Sequence, residues 1–158
     1  MLFRSLPYGI EALDILRLEK GYLIGAELNG QTTPLDLGMD ALVKAGNPCI
    51  GRELMDRPGL NLADRSKLVG VRSVDGRSKF LAGAQLTTPE ERVRSSGYIT
   101  SSAYSPACAE WIGLALLSRL RAQEGNVLLA RDPLRGTEIR VRVTSPVHYD
   151  PSGERMKS

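Results

Sequence analysis

Apolar and polar residues alternate most regularly near the end of the chain, over residues 137–144. The apolar residues take every second position and charged residues take the positions between them: Ile139, Val141 and Val143 against Glu138, Arg140 and Arg142. A period of two is typical of a strand with one buried face. We therefore predict a strand here whose apolar side chains face a core.

Five further segments before it have strand-like composition and are separated by residues that favour turns. They are 68–71, 83–86, 94–101, 112–117 and 127–131. Asp75-Gly76 has the composition of a hairpin-type turn after the first of them. Six short strands with turns at nearly regular spacing favour a small Greek-key β-barrel.

Residues 97–118 are the most informative part of this predicted barrel. Gly97 opens a run of β-branched and aromatic residues, Ser105-Pro106 favours a turn, and a nearly continuous apolar run follows over 111–117. A strand, a corner of small residues and a second buried strand suit a closed barrel. Residues 114–121 also have the spacing of an amphipathic helix, so the pattern leaves both structures open for that segment.

The part of the chain before the predicted barrel has a different pattern. Residues 7–20 predict a helix, because Pro7 suits a first turn, acidic residues come early and basic residues come late. Gly21 is expected to end this helix. The other predicted elements are short: a strand at 21–25, a turn at 29–30, an element capped near Asp36, a strand at 41–44, a break at 46–48 and one or two helical turns at 51–57.

These two patterns divide the chain into two units. We expect residues 1–57 to be part of an α/β domain, 58–66 to be a connector and 67–155 to be the β-barrel. The expected class is therefore α+β. A length of 158 residues suits one domain, or a small domain with part of another.

Composition sets limits on location and partners. The chain is 42% hydrophobic and 25% charged, as is ordinary for a globular protein. Its longest apolar runs, 111–117 and 126–130, are far shorter than the roughly 20 residues that cross a membrane. The first residues do not have the pattern of a signal peptide, so we expect a cytoplasmic protein with no membrane partner.

The net charge of +3 is too small to indicate a polyanion partner by itself. Six arginines between Arg119 and Arg142 could form a basic face for nucleic acid. Such residues more often lie on the solvated side of strands, and we do not expect nucleic acid as a partner.

Several kinds of catalytic or metal chemistry find no support in the sequence. It contains no GxxxxGK[ST], GxGxxG or GxSxG motif. His148 is the sole histidine, so a usual zinc site is not expected, and a structural role is favoured over a triad with Asp150. Cys49 and Cys108 lie apart among small or apolar neighbours, and both are expected to be buried, inert thiols.

Arg17 is the strongest candidate for ligand binding. It falls near the end of the predicted helix and before the tight turn at Gly21, where a guanidinium can offer two parallel N–H groups to a carboxylate. Glu19 could orient that fork or accept a proton from a heterocycle. The alternative is a structural salt bridge from Arg17 to Asp14 or Glu19, and the residues alone leave both interpretations open.

Several segments, in the same order, resemble one family. They read LRLEKGY at 16–22, TPLDLG at 33–38, IGREL at 50–54, GYITSSAYSPACAEWIGLA at 97–115 and SPVHYDP at 145–151. The chain is similar to the second half of the glycine-cleavage aminomethyltransferase family. Within that family it most resembles the carboxy-terminal part of the sarcosine oxidase alpha subunit, over nearly the whole chain.

The resemblance implies a tetrahydrofolate-dependent module for one-carbon transfer. Residues 1–57 would be the carboxy-terminal part of a folate-binding domain and 67–155 an aminomethyltransferase-type barrel. The resemblance also implies that Arg17 contacts folate, with Glu19 and Tyr22 as supporting residues.

The family's catalytic aspartate lies before the segment resembled here, so the catalytic residues are unknown and the module is expected to be incomplete by itself. The resemblance places no flavin or NAD site in this chain. The implied partners are other sarcosine oxidase subunits or the missing half of the folate domain. Glu110 stands where the family has a basic residue, so the charge at this position is reversed.

Two alternatives stay open beside this interpretation. The chain could be part of a stand-alone glycine-cleavage aminomethyltransferase, or it could be a non-catalytic interaction module in which Arg17 is only structural. In the second case the barrel would be the docking surface in a larger assembly. In the leading interpretation, residues 8–24 would turn an apolar face toward the missing half of the folate domain, and an exposed apolar face favours association.

Overall fold

The computed structural model describes residues 7–43 and 50–157, except for the side chain of Met156. Helix α1 spans Ile10–Glu19, and short 3₁₀ helices lie at Asp40–Val43, Arg52–Asp56, Pro58–Leu60 and Glu154–Met156. The strands are β1 (Ser66–Ser73), β2 (Gln85–Thr87), β3 (Gly97–Ser105), β4 (Glu110–Ser118), β5 (Val127–Asp132) and β6 (Thr137–Thr144). Each of the six predicted strands overlaps one of these.

The six strands form a closed antiparallel barrel in the order β1-β4-β3-β2-β5-β6, and β6 pairs back to β1. Three consecutive strands, β2, β3 and β4, are neighbours, and β1 lies beside β4, which is a Greek-key arrangement read from the other end of the chain. The predicted closed barrel is therefore confirmed. Each of the six strands therefore has a partner strand on both sides, which is how a closed barrel protects its strand edges.

The predicted turn at Asp75-Gly76 is present, but it does not connect two neighbouring strands. Asp75-Gly76 does form a turn, but β1 and β2 do not make a hairpin. Both edges of β1 are already paired, one with β4 and the other with β6. The chain after Gly76 therefore has to cross to the far side of the barrel before β2 can pair with β3 and β5.

The barrel interior holds the larger apolar core, to which all six strands contribute. Its fully buried members include Val71, Leu86, Ile99, Leu117 and Val141. Strand β6 has the predicted alternation, since its valines are buried and its charged side chains are exposed. Burial of a side chain of this size stabilises the fold by about 1.5–3 kcal/mol relative to leaving it exposed.

A second apolar core covers the outer face of β4. Ile112, Leu114 and Leu116 point away from the barrel interior and pack with Leu18 of α1 and with Leu37. Because both faces of β4 are covered, its sequence is apolar at consecutive positions rather than at alternate ones. The ambiguity over 114–121 is resolved in favour of a strand, which continues to Ser118.

Helix α1 is shorter than predicted but ends where expected. Its first residue is Ile10 and its last is Glu19. Gly21 has a φ of +69°, a left-handed conformation that glycine adopts without a steric penalty. The N–H of Tyr22 donates to the carbonyl of Arg17 at 2.8 Å, and the N–H of Gly21 donates to that of Leu18 at 3.1 Å. These two bonds form a Schellman motif.

The two strands predicted ahead of the barrel are wrong. At 21–25 the chain turns instead, and the N–H groups of Glu27 and Leu28 both donate to the carbonyl of Ile24 at 3.0 Å. At 41–43 it forms part of a 3₁₀ helix. Both segments have apolar residues, but neither pairs with a strand in the described part of the chain. Lys44, the predicted break at 46–48 and Cys49 lie outside the described residues.

Gly70 of β1 provides a test of how closely the chain passes over the barrel. A Cβ atom at this position would lie 2.1 Å from the carbonyl oxygen of Ser145 and 2.7 Å from Oγ1 of Thr144. We expect Gly70→Ala to lower the free energy of unfolding by about 1–3 kcal/mol or more, because backbone atoms have to move. Urea denaturation of the purified chain measures this change.

Gly59→Ala is the matched control, since a Cβ there would meet no atom within 4 Å. Its effect should stay within about 0.5 kcal/mol. Equal stability of the two alanine variants would contradict the close approach at Gly70.

Candidate functional site

The last turn of α1 places Arg17 between the helix and the segment that follows it. The side chain of Arg17 is only 8% exposed. Its Nε donates to Oδ1 of Asp14 at 2.7 Å, and its Nη1 lies 3.8 Å from Oε2 of Glu27. Arg17 is therefore held between two carboxylates, and the salt bridge with Asp14 considered from the sequence is present.

The Nη1 atom of Arg17 is buried and has no hydrogen-bond partner. Within the described residues, no hydrogen bond engages Nη2 either. The edge formed by these two atoms is one of the edges of a guanidinium that can bind a carboxylate in a bidentate manner. Buried polar groups are nearly always paired, so an unpaired one is a feature of interest for ligand binding.

Glu19 faces the barrel rather than Arg17. Its Oε1 accepts a hydrogen bond from Oγ of Ser105, at the end of β3, at 2.5 Å. Its carbonyl oxygen accepts bonds from the N–H groups of His148 and Tyr149, both at 2.9 Å. Glu19 thus connects α1 to β3 and to the segment after β6, and the residues that contact the Arg17 guanidinium are Asp14 and Glu27.

Tyr22 lies on the surface just beyond the helix. Its side chain is 57% exposed, and only its backbone N–H takes part in the end of the helix. The three residues implied by the family resemblance are thus close in sequence but differ in environment. Arg17 and Glu19 are buried, whereas Tyr22 is exposed.

The segment after β6 fastens the end of α1 to the barrel. Lys20 donates through Nζ to Oδ2 of Asp150 at 2.8 Å and to its carbonyl at 2.7 Å. A Cβ on Gly21 would lie 2.7 Å from the carbonyl oxygen of Pro146, so the two segments are in close contact there. These contacts set the position of the turn that follows Arg17.

His148 in this segment has a structural environment. One ring nitrogen, Nε2, lies 3.0 Å from the carbonyl of Gly113, and Nδ1 accepts a hydrogen bond from Nε of Arg72 at 3.3 Å. Burial, aided by the charge of Arg72, outweighs the bond with Gly113 and lowers the pKa of His148 to about 4. Asp150 pairs with Lys20 instead, so the imagined triad is not formed.

Another buried carboxylate, Asp36, joins the segment ahead of the barrel to residues next to β1 and β4. It is fully buried and forms ion pairs with Arg65 and with Arg119. Burial raises its pKa, but hydrogen bonds from Arg65 and Thr33 outweigh that effect and hold the pKa below its usual value. Oδ2 accepts bonds from N–H and Oγ1 of Thr33, each at 2.9 Å, which confirms the predicted cap.

Other candidate chemistry is sparse in the structure. Over residues 7–43 and 50–157, no three His, Cys, Asp or Glu side chains come together as a metal site, and no helix is long and apolar enough to cross a membrane. Cys108 is partly exposed rather than buried. Of the six arginines between 119 and 142, three form ion pairs with acidic residues: Arg119, Arg131 and Arg135.

Glu27, Ser101 and Ser105 carry no sequence motif that singles them out. Glu27 follows two small residues in a turn, and serines in strands are common. Their role depends on partners 74 and 86 residues away, as the pairs Ser101–Glu27 and Ser105–Glu19 show. The sequence feature that lies nearest to the two serines is the corner of small residues near Ser105.

The pH dependence of stability tests the environment of His148, the only histidine in the chain. The pKa of this side chain is about 4 when folded and 6.5 in its ordinary state. Between these values the unfolded chain binds a proton that the folded chain does not. The contribution of His148 to the free energy of unfolding is therefore complete above pH 6.5. It falls as the pH drops towards 4, by at most about 1.4 kcal/mol per pH unit.

Urea unfolding at pH 7.5, 6.5 and 5.5 measures this decline. His148→Gln keeps an N–H near Gly113 but does not titrate, so it should remove most of the decline between pH 6.5 and 5.5. An unchanged decline in the variant would show that His148 is not held in its neutral form.

Comparison with known proteins relates this geometry to a family. Residues 66–150 match the glycine cleavage T-protein C-terminal barrel domain. Sarcosine oxidase subunit alpha of Rhizobium meliloti (strain 1021) is 38% identical over 155 residues, which are 96% of this chain and 16% of that subunit. The aminomethyltransferase of Thermoanaerobacter pseudethanolicus is 33% identical over 143 residues, which are 84% of this chain and 36% of that protein.

The fold has a solved counterpart as well. The crystal structure of glycine cleavage system aminomethyltransferase T from Bartonella henselae superimposes with a TM-score of 0.69 at 24% identity, over 90% of this chain and 39% of that one. The chain therefore spans less than two fifths of the length of each of these relatives. It belongs to the glycine cleavage T-protein family and contains that family's C-terminal barrel domain.

Proposed function

We propose that this chain is a tetrahydrofolate-dependent one-carbon transfer module, equivalent to the end of a sarcosine oxidase alpha subunit and incomplete by itself. Tetrahydrofolate, when bound, would accept the one-carbon unit released in sarcosine demethylation. The observation that carries the proposal is the buried Arg17, whose Nη1 has no hydrogen-bond partner although its Nε is paired with Asp14.

The chemistry of this residue fits an anionic group of folate. A guanidinium stays charged at any physiological pH and offers paired N–H groups to a carboxylate. Burial strengthens such contacts because water does not compete for them. Glu19 and Tyr22 would support the site, Glu19 by holding the end of α1 on β3 and Tyr22 from the exposed surface beside it.

The rest of the folate site would come from the part of the relatives that this chain does not span. The residues exposed on α1 support this: Ile10 is 86% exposed, Leu13 48% and Leu16 54%. A stripe of exposed apolar side chains on one helix face is typical of a surface that another protein segment covers. We propose that the missing half of the folate domain, in the same polypeptide or in another sarcosine oxidase subunit, supplies it, and that the assembly works in the cytoplasm.

The same exposed face favours a second candidate, a non-catalytic interaction module. In that case α1 would dock on a partner and Arg17 would serve only to hold the chain together through Asp14 and Glu27. The two candidates differ in whether Arg17 affects ligand binding, so one set of variants separates them.

A chimera gives the sharpest test of Arg17. This chain replaces the matching segment of the Rhizobium meliloti sarcosine oxidase subunit alpha, which is expressed with its other subunits. We expect Arg17→Ala to raise the Kd for tetrahydrofolate by roughly 10- to 100-fold, as is usual for loss of hydrogen bonds to a charged group. Isothermal titration calorimetry measures Kd, and the yield of 5,10-methylenetetrahydrofolate during sarcosine turnover measures transfer.

Arg17→Lys should have a Kd between those of the unchanged chimera and Arg17→Ala, because lysine keeps the positive charge but lacks the paired N–H groups of the guanidinium. Arg140→Ala, which removes an exposed arginine from β6, is the matched control and should leave Kd unchanged. If Arg17→Ala also leaves Kd unchanged, folate binding by this residue is refuted and the interaction module is favoured.

Incompleteness is tested on the chain by itself. We expect the purified 158-residue protein to show no tetrahydrofolate binding at micromolar concentration, because half of the proposed site is supplied from outside. The chimera in the same buffer is the positive control. Micromolar binding by the chain alone would show that the missing half is dispensable.

A further inference from the structure

Glu27 is a fully buried carboxylate whose position is set by the barrel. It follows the turn after α1 and has no exposed surface. Its Oε1 accepts a hydrogen bond from Oγ of Ser101 at 2.8 Å, and its Oε2 accepts one from the N–H of Ile24 at 2.9 Å. Glutamate is almost never fully buried unless it is paired, and here the charged partner is Arg17.

The contact between Glu27 and Arg17 has an unusual geometry. Oε2 lies 3.8 Å from Nη1, a distance within ion-pair range but too long for a hydrogen bond. Glu27 therefore attracts the guanidinium without engaging its N–H groups. Since Asp14 engages only Nε, neither Nη atom of Arg17 has a hydrogen-bond partner among the described residues.

Ser101 connects this arrangement to the sheet. The pairing of β3 with β4 shifts by one residue between Ile99 and Ser101, which is a β-bulge. Oγ1 of the extra residue, Thr100, donates to the carbonyl of Leu114 at 3.1 Å. Bulges redirect side chains and are frequent beside functional sites. Ser101 is itself buried, so its hydroxyl is a fixed anchor for Glu27.

We propose that Glu27 and Ser101 are positioning residues that fix the Arg17 guanidinium for an anionic group of tetrahydrofolate. The chain of contacts runs from the bulge in β3 through the Ser101 hydroxyl and the Glu27 carboxylate to Nη1. It gives the barrel a specific task in ligand binding. The proposal rests on the proposed function, because it needs Arg17 to be a ligand contact.

The test uses the same sarcosine oxidase chimera and tetrahydrofolate as the probe. We expect Glu27→Gln to raise Kd by about 5- to 30-fold and Ser101→Ala by about 2- to 5-fold, within the range of coupling between residues in contact. Glu27→Asp, which keeps the charge, should restore part of the affinity. Glu138→Gln, which removes a carboxylate from the outer face of β6, is the control and should have no effect.

A double-variant cycle separates positioning from general damage to the fold. Once Arg17 is replaced by alanine, adding Glu27→Gln should not weaken binding further. An additive loss would mean that Glu27 acts on the fold as a whole, and that would overturn the proposal. If Glu27→Gln does not fold, Ser101→Ala takes its place in the same cycle, and the same comparison of additive with non-additive loss of binding applies.

A second readout does not depend on folate. The Nε–Hε signal of Arg17 in the NMR spectrum of the 158-residue chain should broaden or shift in Glu27→Gln and Ser101→Ala, but not in Glu138→Gln. Unchanged signals together with an unchanged Kd would refute positioning by Glu27. If Arg17→Ala weakens binding while Glu27→Gln does not, only this inference fails. If Arg17→Ala has no effect, the proposed function itself fails.

Discussion

The burial of β4 on both faces is the constraint on which the rest of the structure depends. Ala115 and Leu117 fill the barrel interior, whereas Leu114 and its outward neighbours would lie in water without a cover. Helix α1 provides that cover through Leu18, which has no exposed surface. Each such apolar side chain stabilises the arrangement by about 1.5–3 kcal/mol, so hydrophobic packing sets where α1 lies.

Polar contacts then determine how α1 and the following turn are oriented on the barrel. Ser105 binds Glu19, Ser101 binds Glu27, and Arg65 binds Asp36, and in each pair the carboxylate comes from the segment ahead of the barrel. A buried carboxylate without its partners is strongly destabilising, so these pairs select one docked arrangement. In the same arrangement Nη1 of Arg17 has no hydrogen-bond partner, and this is the feature on which the proposed folate binding rests.

Secondary structure was predicted correctly where a local sequence pattern determines it. It was predicted wrongly where it depends on whether another strand or helix lies beside the segment. The alternation at 137–144 identifies β6 with its bounds, because one face is buried and the other is solvated. The segments at 21–25 and 41–43 have apolar residues of the kind that strands contain, yet within 7–43 and 50–157 neither is paired with a strand. For 114–121 the apolar run suited two structures, and only the cover provided by α1 explains why it is a strand apolar on both faces.

The sequence by itself determined the six strands, the end of α1 just before Gly21 and the resemblance that singled out Arg17. These features depend on periodicity, on the backbone freedom of glycine and on motifs within a few residues. Only the tertiary structure decided that Glu19 faces Ser105, that Glu27 lies beside Arg17 and that Asp150 pairs with Lys20 rather than with His148. Those contacts join residues up to 130 positions apart, and closure of the barrel and burial of α1 on β4 bring them together.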